Sequence, residues 1–277
     1  MVIYLCYTKL HRGVHMYKIG FLGLGKMGSA ILNGILSKNL YDKSDIAFYA
    51  PSLETQNKFK SIGLNLLFNE NELFDNSEII VLAVKPQKYD EVFSKINNKD
   101  YKNKIVISLA PGKSINYLKN IFVGAQVVRA MPNTPALINK GVTTLAFDEE
   151  EIEIVKNIFS SIGTYLVVEE QQIDEAIPLN GSMPAYIFEF AKAFIECGAS
   201  YGMDYDEVRK LVLNSIIGSC ELALSSSEPL DTLISNVCSK GGSTIEGLNE
   251  LRNNNFSETI ASCYKKCVNR SKELAKV

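Results

Sequence analysis

Apolar positions fall into two regimes along this chain. From residue 18 to about residue 170, short apolar runs alternate with stretches in which apolar residues recur every three to four positions. Residues 18–22 (KIGFL), 46–49, 79–84, 105–109 (IVISL) and 126–130 predict strands. The run at 79–84, IIVLAV, is apolar throughout, as suits a parallel strand buried on both faces. Residues 27–38 place Ile31, Leu32, Ile35 and Leu36 on one helical face. Strands at 143–146 and 165–168 flank a helix at 149–161. Strands alternating with helices predict an α/β fold with a doubly wound, mainly parallel sheet.

From about Asp174 the strand signal disappears and an all-α region is predicted. Residues 185–201 are nearly apolar on all sides, which predicts deep burial. Asp204-Tyr205-Asp206-Glu207 reads as a capping box opening a helix to about Leu224. Pro229 opens another at its first turn. Ser257 is placed to cap a last helix whose Ile260, Cys263, Tyr264, Cys267, Val268 and Leu274 form a packing seam. The predicted organisation is an extension at 1–15, a sheet domain at 16–173 and a helical domain at 174–277. So much apolar helix surface on about one hundred residues predicts an obligate homodimer.

Composition narrows the function classes. Length 277 fits one large or two ordinary domains, and 46% hydrophobic with 22% charged residues is ordinary globular usage. Lys plus Arg total 29 against 31 Asp plus Glu, a net charge of −2, so no basic excess drives nucleic-acid binding. No run of about 18 apolar residues predicts a membrane-spanning helix. Cys6, Cys197, Cys220, Cys238, Cys263 and Cys267 are scattered, as free thiols of a reducing, cytoplasmic compartment are. Cys263 and Cys267 read as small packed residues rather than a metal pair, since no His or second Cys pair follows at ligand spacing. The only histidines, His11 and His15, precede the first predicted element, which excludes a core histidine base and a Ser/His/Asp triad. In the first fifteen residues Lys9 and Arg12 follow the apolar run, unlike a secretory signal. Met16 is a natural start, so the extension is expected to be dispensable.

The chemistry begins at Gly23-Leu24-Gly25-Lys26-Met27-Gly28, which follows the first strand and opens the first helix. In that context G-x-G-x-x-G is a dinucleotide-binding, Rossmann-type fingerprint. The first glycine makes the turn, the second lets backbone approach a pyrophosphate, and the third lets helix and strand pack. The second strand ends in Tyr49-Ala50-Pro51-Ser52, with neither an acid for a ribose hydroxyl nor a cation for a 2′-phosphate. That pattern is compatible with NADH and with NADPH.

Four further segments carry a resemblance: Leu82-Ala83-Val84-Lys85-Pro86-Gln87, Arg129-Ala130-Met131-Pro132-Asn133-Thr134-Pro135, Gly181-Ser182-Met183-Pro184-Ala185-Tyr186, and Val237-Cys238-Ser239-Lys240-Gly241-Gly242-Ser243-Thr244. With the glycine loop they resemble pyrroline-5-carboxylate reductase from Tyr17 to about Leu274. The resemblance implies transfer of hydride from NADH or NADPH to the C=N carbon of 1-pyrroline-5-carboxylate, giving L-proline. An imine protonates readily, so the reaction needs neither a metal nor a histidine. The resemblance also implies a C-terminal dimerisation domain and rings of dimers, up to a decamer.

Roles implied by the resemblance fall on particular residues. Leu22, Gly23, Leu24, Gly25, Lys26, Met27 and Gly28 hold the pyrophosphate. Ala83, Val84, Lys85 and Pro86 line the nicotinamide ribose, and Leu109, Ala110 and Pro111 form a cofactor-contacting turn. Asn133 lies near the nicotinamide, and Asn236 contacts the cofactor from the helical domain. Gly241, Gly242, Ser243 and Thr244 cradle the substrate carboxylate, with Thr244 also donating toward the nitrogen. Glu170 and Glu228 fall near substrate-site carboxylates, and Tyr186 reads as helix core.

Departures from the family pattern are Met183 for a small residue, Lys240 for a proline, Ala50 for a polar residue and Glu70 for an asparagine. A carboxylate at Glu70 near the 2′ position favours NADH, although the alignment also admits Asn69 or Asn71 there. Two alternatives are a β-hydroxyacid dehydrogenase and a non-catalytic nucleotide-sensing dimer. The first needs an Asn one turn after its lysine, whereas Lys192 is followed by Ala193, Phe194, Ile195 and Glu196. The second has no use for the GGST segment.

Overall fold

The computed structural model describes residues 16–97, 100–150 and 152–275. The extension at 1–15, with Cys6, His11 and His15, and the side chain of Leu274 lie outside the described residues. In chain order the first part runs β1 (Tyr17–Leu22), α1 (Lys26–Ser37), β2 (Ile46–Tyr49), α2 (Leu53–Ser61), β3 (Asn65–Leu66), α3 (Glu70–Asp75) and β4 (Ser77–Leu82). It continues with α4 (Tyr89–Phe93), β5 (Ile105–Ser108), α5 (Ile115–Ile121), β6 (Gln126–Pro132), β7 (Gly141–Phe147), α6 (Glu153–Ser160), β8 (Gly163–Val167) and α7 (Glu170–Glu175).

The strands form one sheet in the order β3-β2-β1-β4-β5-β6-β7-β8. Pairing is parallel from β3 to β6, antiparallel between β6 and β7, and parallel again between β7 and β8. The chain first winds outward from β1 through β2 to β3, then returns to lay β4 on the other side of β1. That reversal is a topological switch point, where such sheets bind ligands beyond the carboxyl ends of their strands. Ile19 and Phe21 of β1 and Val81 of β4 are buried with Ile31 and Ile35 of α1, which clamps this part of the sheet.

Several elements escaped the apolar pattern. Of α2's nine residues only Phe59 is buried, and β3 spans two residues, so neither writes a clear periodicity. Their ends are set locally instead. Ser52, Asn69 and Ser114 cap α2, α3 and α5 by accepting the amides of Thr55, Glu72 and Tyr117. The helix expected at 149–161 starts later, at Glu153, with Ile152 as its N-cap.

Contacts divide the chain into two compact units, one running to Ala176 and including the chain's end from Ser271, the other spanning Ile177–Arg270. The second unit is helical: α8 (Met183–Ser200), α9 (Tyr205–Ser225), α10 (Leu230–Val237), α11 (Ser243–Asn253) and most of α12 (Phe256–Ala275). The expected deep burial of residues 185–201 is corrected here. Only Ala191 and Ile195 of α8 are buried, packed with Val208 of α9, while Phe188 is 63% exposed and Phe194 49%. A two-helix contact covers one stripe of α8 and leaves the rest of its apolar surface open. Asp204 caps α9, accepting the amides of Asp206 and Glu207 at 3.0 Å. A reciprocal capping box opens α7, between Glu169 and Gln172. The last helix begins at Phe256 after Asn255 in a left-handed conformation (φ 58°), so Ser257 lies inside the helix and is not its cap.

Candidate active site

The glycine loop is built as its spacing predicts. Gly23 has φ +87°, and a Cβ there would stand 2.9 Å from Val84 Cγ1. Its amide donates to the Tyr49 carbonyl at 2.8 Å, which ties the end of β1 to the end of β2. Gly25 is the N-cap of α1, and a Cβ on it would meet nothing within 4 Å. Gly28 is buried, with a virtual Cβ 2.8 Å from the Gly23 carbonyl oxygen. Leu22 and Leu24 are buried, Lys26 is exposed and Met27 half-buried. The amides of Lys26, Met27 and Gly28 occupy the first turn, where a helix leaves donors without intrahelical acceptors. Open space at Gly25 in front of those donors fits a pyrophosphate.

The adjoining strand ends extend the same edge. Ala83 N donates to Leu22 O at 3.0 Å and Leu109 N to Leu82 O at 3.2 Å, continuing the ladder past β1 and β4. Lys85 is exposed and caps a short 3-10 turn beginning at Pro86. The turn Leu109-Ala110-Pro111 is held from beneath: Ser108 Oγ accepts the Ala110 amide at 3.3 Å and lies 2.9 Å from the Tyr89 hydroxyl. Burial pushes the Tyr89 phenol well above its ordinary pKa, so it stays protonated. Neither Tyr89 nor Ser108 stood out in the sequence, because a buried Tyr–Ser pair nineteen residues apart has no periodic signature. Asn133 is buried, and its Oδ1 accepts the Val142 amide at 2.8 Å, bracing the β6–β7 connection.

Beside this edge lies a cavity of about 250 Å³, bounded by Leu22, Tyr49, Pro51 and Val84. Glu70, Lys88, Glu91 and Lys95 supply its charges. Lys88 pairs with Glu91 at 2.7 Å, and Lys95 approaches Glu91 at 3.6 Å and Glu70 at 3.8 Å. Hydrogen bonding and attraction from Lys88, then Lys95, hold the Glu91 carboxyl below its ordinary pKa.

Glu170, expected near the substrate carboxylates, is half-buried and held from two sides. Its Oε1 accepts the Ile115 amide at 2.6 Å and pairs with Arg129 Nη1 at 3.3 Å. Arg129 is 4% exposed and also meets both Asp174 oxygens, at 3.1 and 3.2 Å. One guanidinium thus ties β6, α5 and α7 together.

In the second unit Gly241 has φ +70° and Gly242 is the N-cap of α11. A Cβ on Gly242 would run into Ser239 Oγ. Ser243 and Thr244 are exposed and form the first turn of α11. Asn236 Nδ2 donates to Glu228 Oε2 at 3.3 Å, joining two residues predicted for the site. Ser182 Oγ is 3.4 Å from Cys267 Sγ. The Tyr186 phenol is pushed up to a pKa of about 12 by the neighbouring Cys267 thiol, then by partial burial and the Cys263 thiol. Lys192 is exposed and within 3.8 Å of Glu196.

A mainly parallel sheet with a glycine loop at its switch point, joined in sequence to a helical domain, defines a dinucleotide-binding oxidoreductase of Rossmann type. Residues 170–274 match the family described as pyrroline-5-carboxylate reductase dimerisation, and residues 18–112 match NADP oxidoreductase, coenzyme F420-dependent. The chain is 32% identical to the pyrroline-5-carboxylate reductase of Escherichia coli, covering 94% of this chain and 98% of that one. It is 29% identical to the Arabidopsis thaliana enzyme, over 94% and 96%. The solved Plasmodium falciparum pyrroline carboxylate reductase, with NADP bound, superposes with TM-score 0.83 at 32% identity, over 95% of this chain and all of that one. The chain belongs to the pyrroline-5-carboxylate reductase family. Neither alternative, the β-hydroxyacid dehydrogenase nor the sensing dimer, is favoured by these matches. Among the described residues no helix is long and apolar enough to cross a membrane.

Proposed function

We infer that this protein reduces 1-pyrroline-5-carboxylate to L-proline, the last step of proline biosynthesis, with NADH or NADPH as the reductant. The observation that carries the reading is the match to enzymes of that name along nearly the whole of both chains. The bound dinucleotide would supply the hydride. Leu22 to Gly28 would hold its pyrophosphate on the α1 amides. Ala83–Pro86 and the turn at 109–111 would line its nicotinamide end, with Asn133 behind them and Asn236 as a contact from the helical unit.

Gly241 and Gly242 would aim amides at the substrate carboxylate, and Ser243 and Thr244 would add hydroxyls where the α11 dipole favours an anion. Thr244 would also hydrogen-bond the ring nitrogen. Its hydroxyl is far too weak an acid to surrender a proton, so the proton arrives on the iminium or from water. We place Glu228 beside Asn236 at the substrate and assign Glu170 to bracing Arg129 and α5, because its Oε1 is already engaged twice. The exposed apolar face of α8 supports a homodimer, and we extend this to rings of dimers up to a decamer and to a cytoplasmic location. Steady-state assays with DL-pyrroline-5-carboxylate and each reduced dinucleotide test the reading. Turnover that depends on the imine supports it, and no oxidation of either dinucleotide contradicts it.

A further inference from the structure

Resting on the reading of this edge as a dinucleotide site, we propose that Glu70 selects the cofactor and that the enzyme takes NADH in preference to NADPH. In sheets of this build the adenosine ribose lies beyond the second strand, where an acid receives the 2′-hydroxyl or a cation receives a 2′-phosphate. Here β2 ends in Tyr49 and Ala50-Pro51-Ser52 supplies neither. The acid comes from the next junction. β3 pairs with β2 through Phe48 and Leu66, and α3 then begins with Glu70, which lines the cavity beside Tyr49 and Pro51.

The structure separates Glu70 from its neighbours. Asn69 is used as the α3 cap, its Oδ1 accepting the Glu72 amide at 2.9 Å. Asn71 accepts the Asn97 amide at 2.9 Å and donates to Lys95 O at 2.8 Å. Of the three, Glu70 lines the cavity, and it is only 8% exposed, so water screens its charge weakly.

The cavity's cations are already matched. Lys88 and Lys95 face Glu91 and Glu70, two charges of each sign. A 2′-phosphate carries nearly two negative charges and would enter a neutral cavity next to a buried carboxylate. A ribose diol would instead donate its hydroxyl hydrogens to that carboxylate, a charge-assisted bond.

Two measurements test the assignment. In the first, kcat/KM for NADH and NADPH is compared in the wild type and in Glu70→Gln, at saturating pyrroline-5-carboxylate. We expect the wild type to favour NADH by about tenfold or more, and Glu70→Gln to shrink that ratio by about tenfold. In the second, calorimetry on the wild type compares AMP with adenosine 2′,5′-bisphosphate, which needs no variant to fold. AMP is expected to bind more tightly. A wild type that prefers NADPH or the bisphosphate overturns the proposal, as does an unchanged ratio in a folded Glu70→Gln. Tighter AMP binding without pyrroline-5-carboxylate turnover leaves cofactor selection standing and removes the substrate assignment. Failure of both nucleotides to bind overturns the cofactor assignment and the dinucleotide reading on which it rests.

Discussion

A Cβ placed on Gly25 meets nothing within 4 Å, whereas one on Gly28 would stand 2.8 Å from a backbone oxygen. Two glycines of one motif therefore answer to different constraints, and substitution separates them. Gly25→Val should leave stability within about 0.5 kcal/mol, as for an open surface site. It should weaken NAD(P)H binding more than about tenfold by filling the pyrophosphate's space. Gly28→Ala should lower stability by about 1–3 kcal/mol through overpacking. Denaturant melts and fluorescence titrations check the pair, and unchanged NAD(P)H affinity in Gly25→Val would refute the loop's role. At the substrate end, Thr244→Ala should reduce kcat/KM for pyrroline-5-carboxylate by about tenfold, the scale of a hydrogen bond to a charged group. The dinucleotide's dissociation constant should stay unchanged. The reverse pattern would mean that Thr244 serves the cofactor. At this scale the sequence read well where backbone chemistry forces residue type, as at Gly23 and Gly241 with their positive φ. It read poorly where a side chain's partner is distant: only the fold brings Arg129 to Glu170, from 41 positions away.

Arg129 shows how elements are tied as well as packed. Its guanidinium joins β6 to α7 through Asp174 and Glu170, and Glu170 carries the link to the start of α5. Arg129→Ala would strand two carboxylates, of which the Asp174 side chain is only 17% exposed. We expect a loss of about 3 kcal/mol in equilibrium unfolding, the usual cost of breaking a buried pair from one side. A loss under about 1 kcal/mol would show that water reaches the site and screens it. Strand cores were legible because a buried parallel strand must be apolar nearly throughout, as at 79–84. Short helices were not: α3 and α5 are set by Asn69 and Ser114 caps, and their six and seven residues are too few to show a period.

For the whole molecule, the instructive miss is α8. An all-round apolar sequence suggested the inside of a bundle, yet Phe188, Phe190 and Phe194 stand exposed on the single chain. Apolar patterning records burial in the working assembly, and a single chain is only part of it. Light scattering at micromolar concentration should therefore find a dimer or a multiple of it, and a particle of 30.7 kDa would contradict the assignment of this face to self-association. The central claim is chemical, and product analysis tests it most directly. Purified protein supplied with pyrroline-5-carboxylate and a reduced dinucleotide should form L-proline mole for mole with the dinucleotide oxidised. Oxidation of the dinucleotide without proline, or no oxidation at all, would contradict the account.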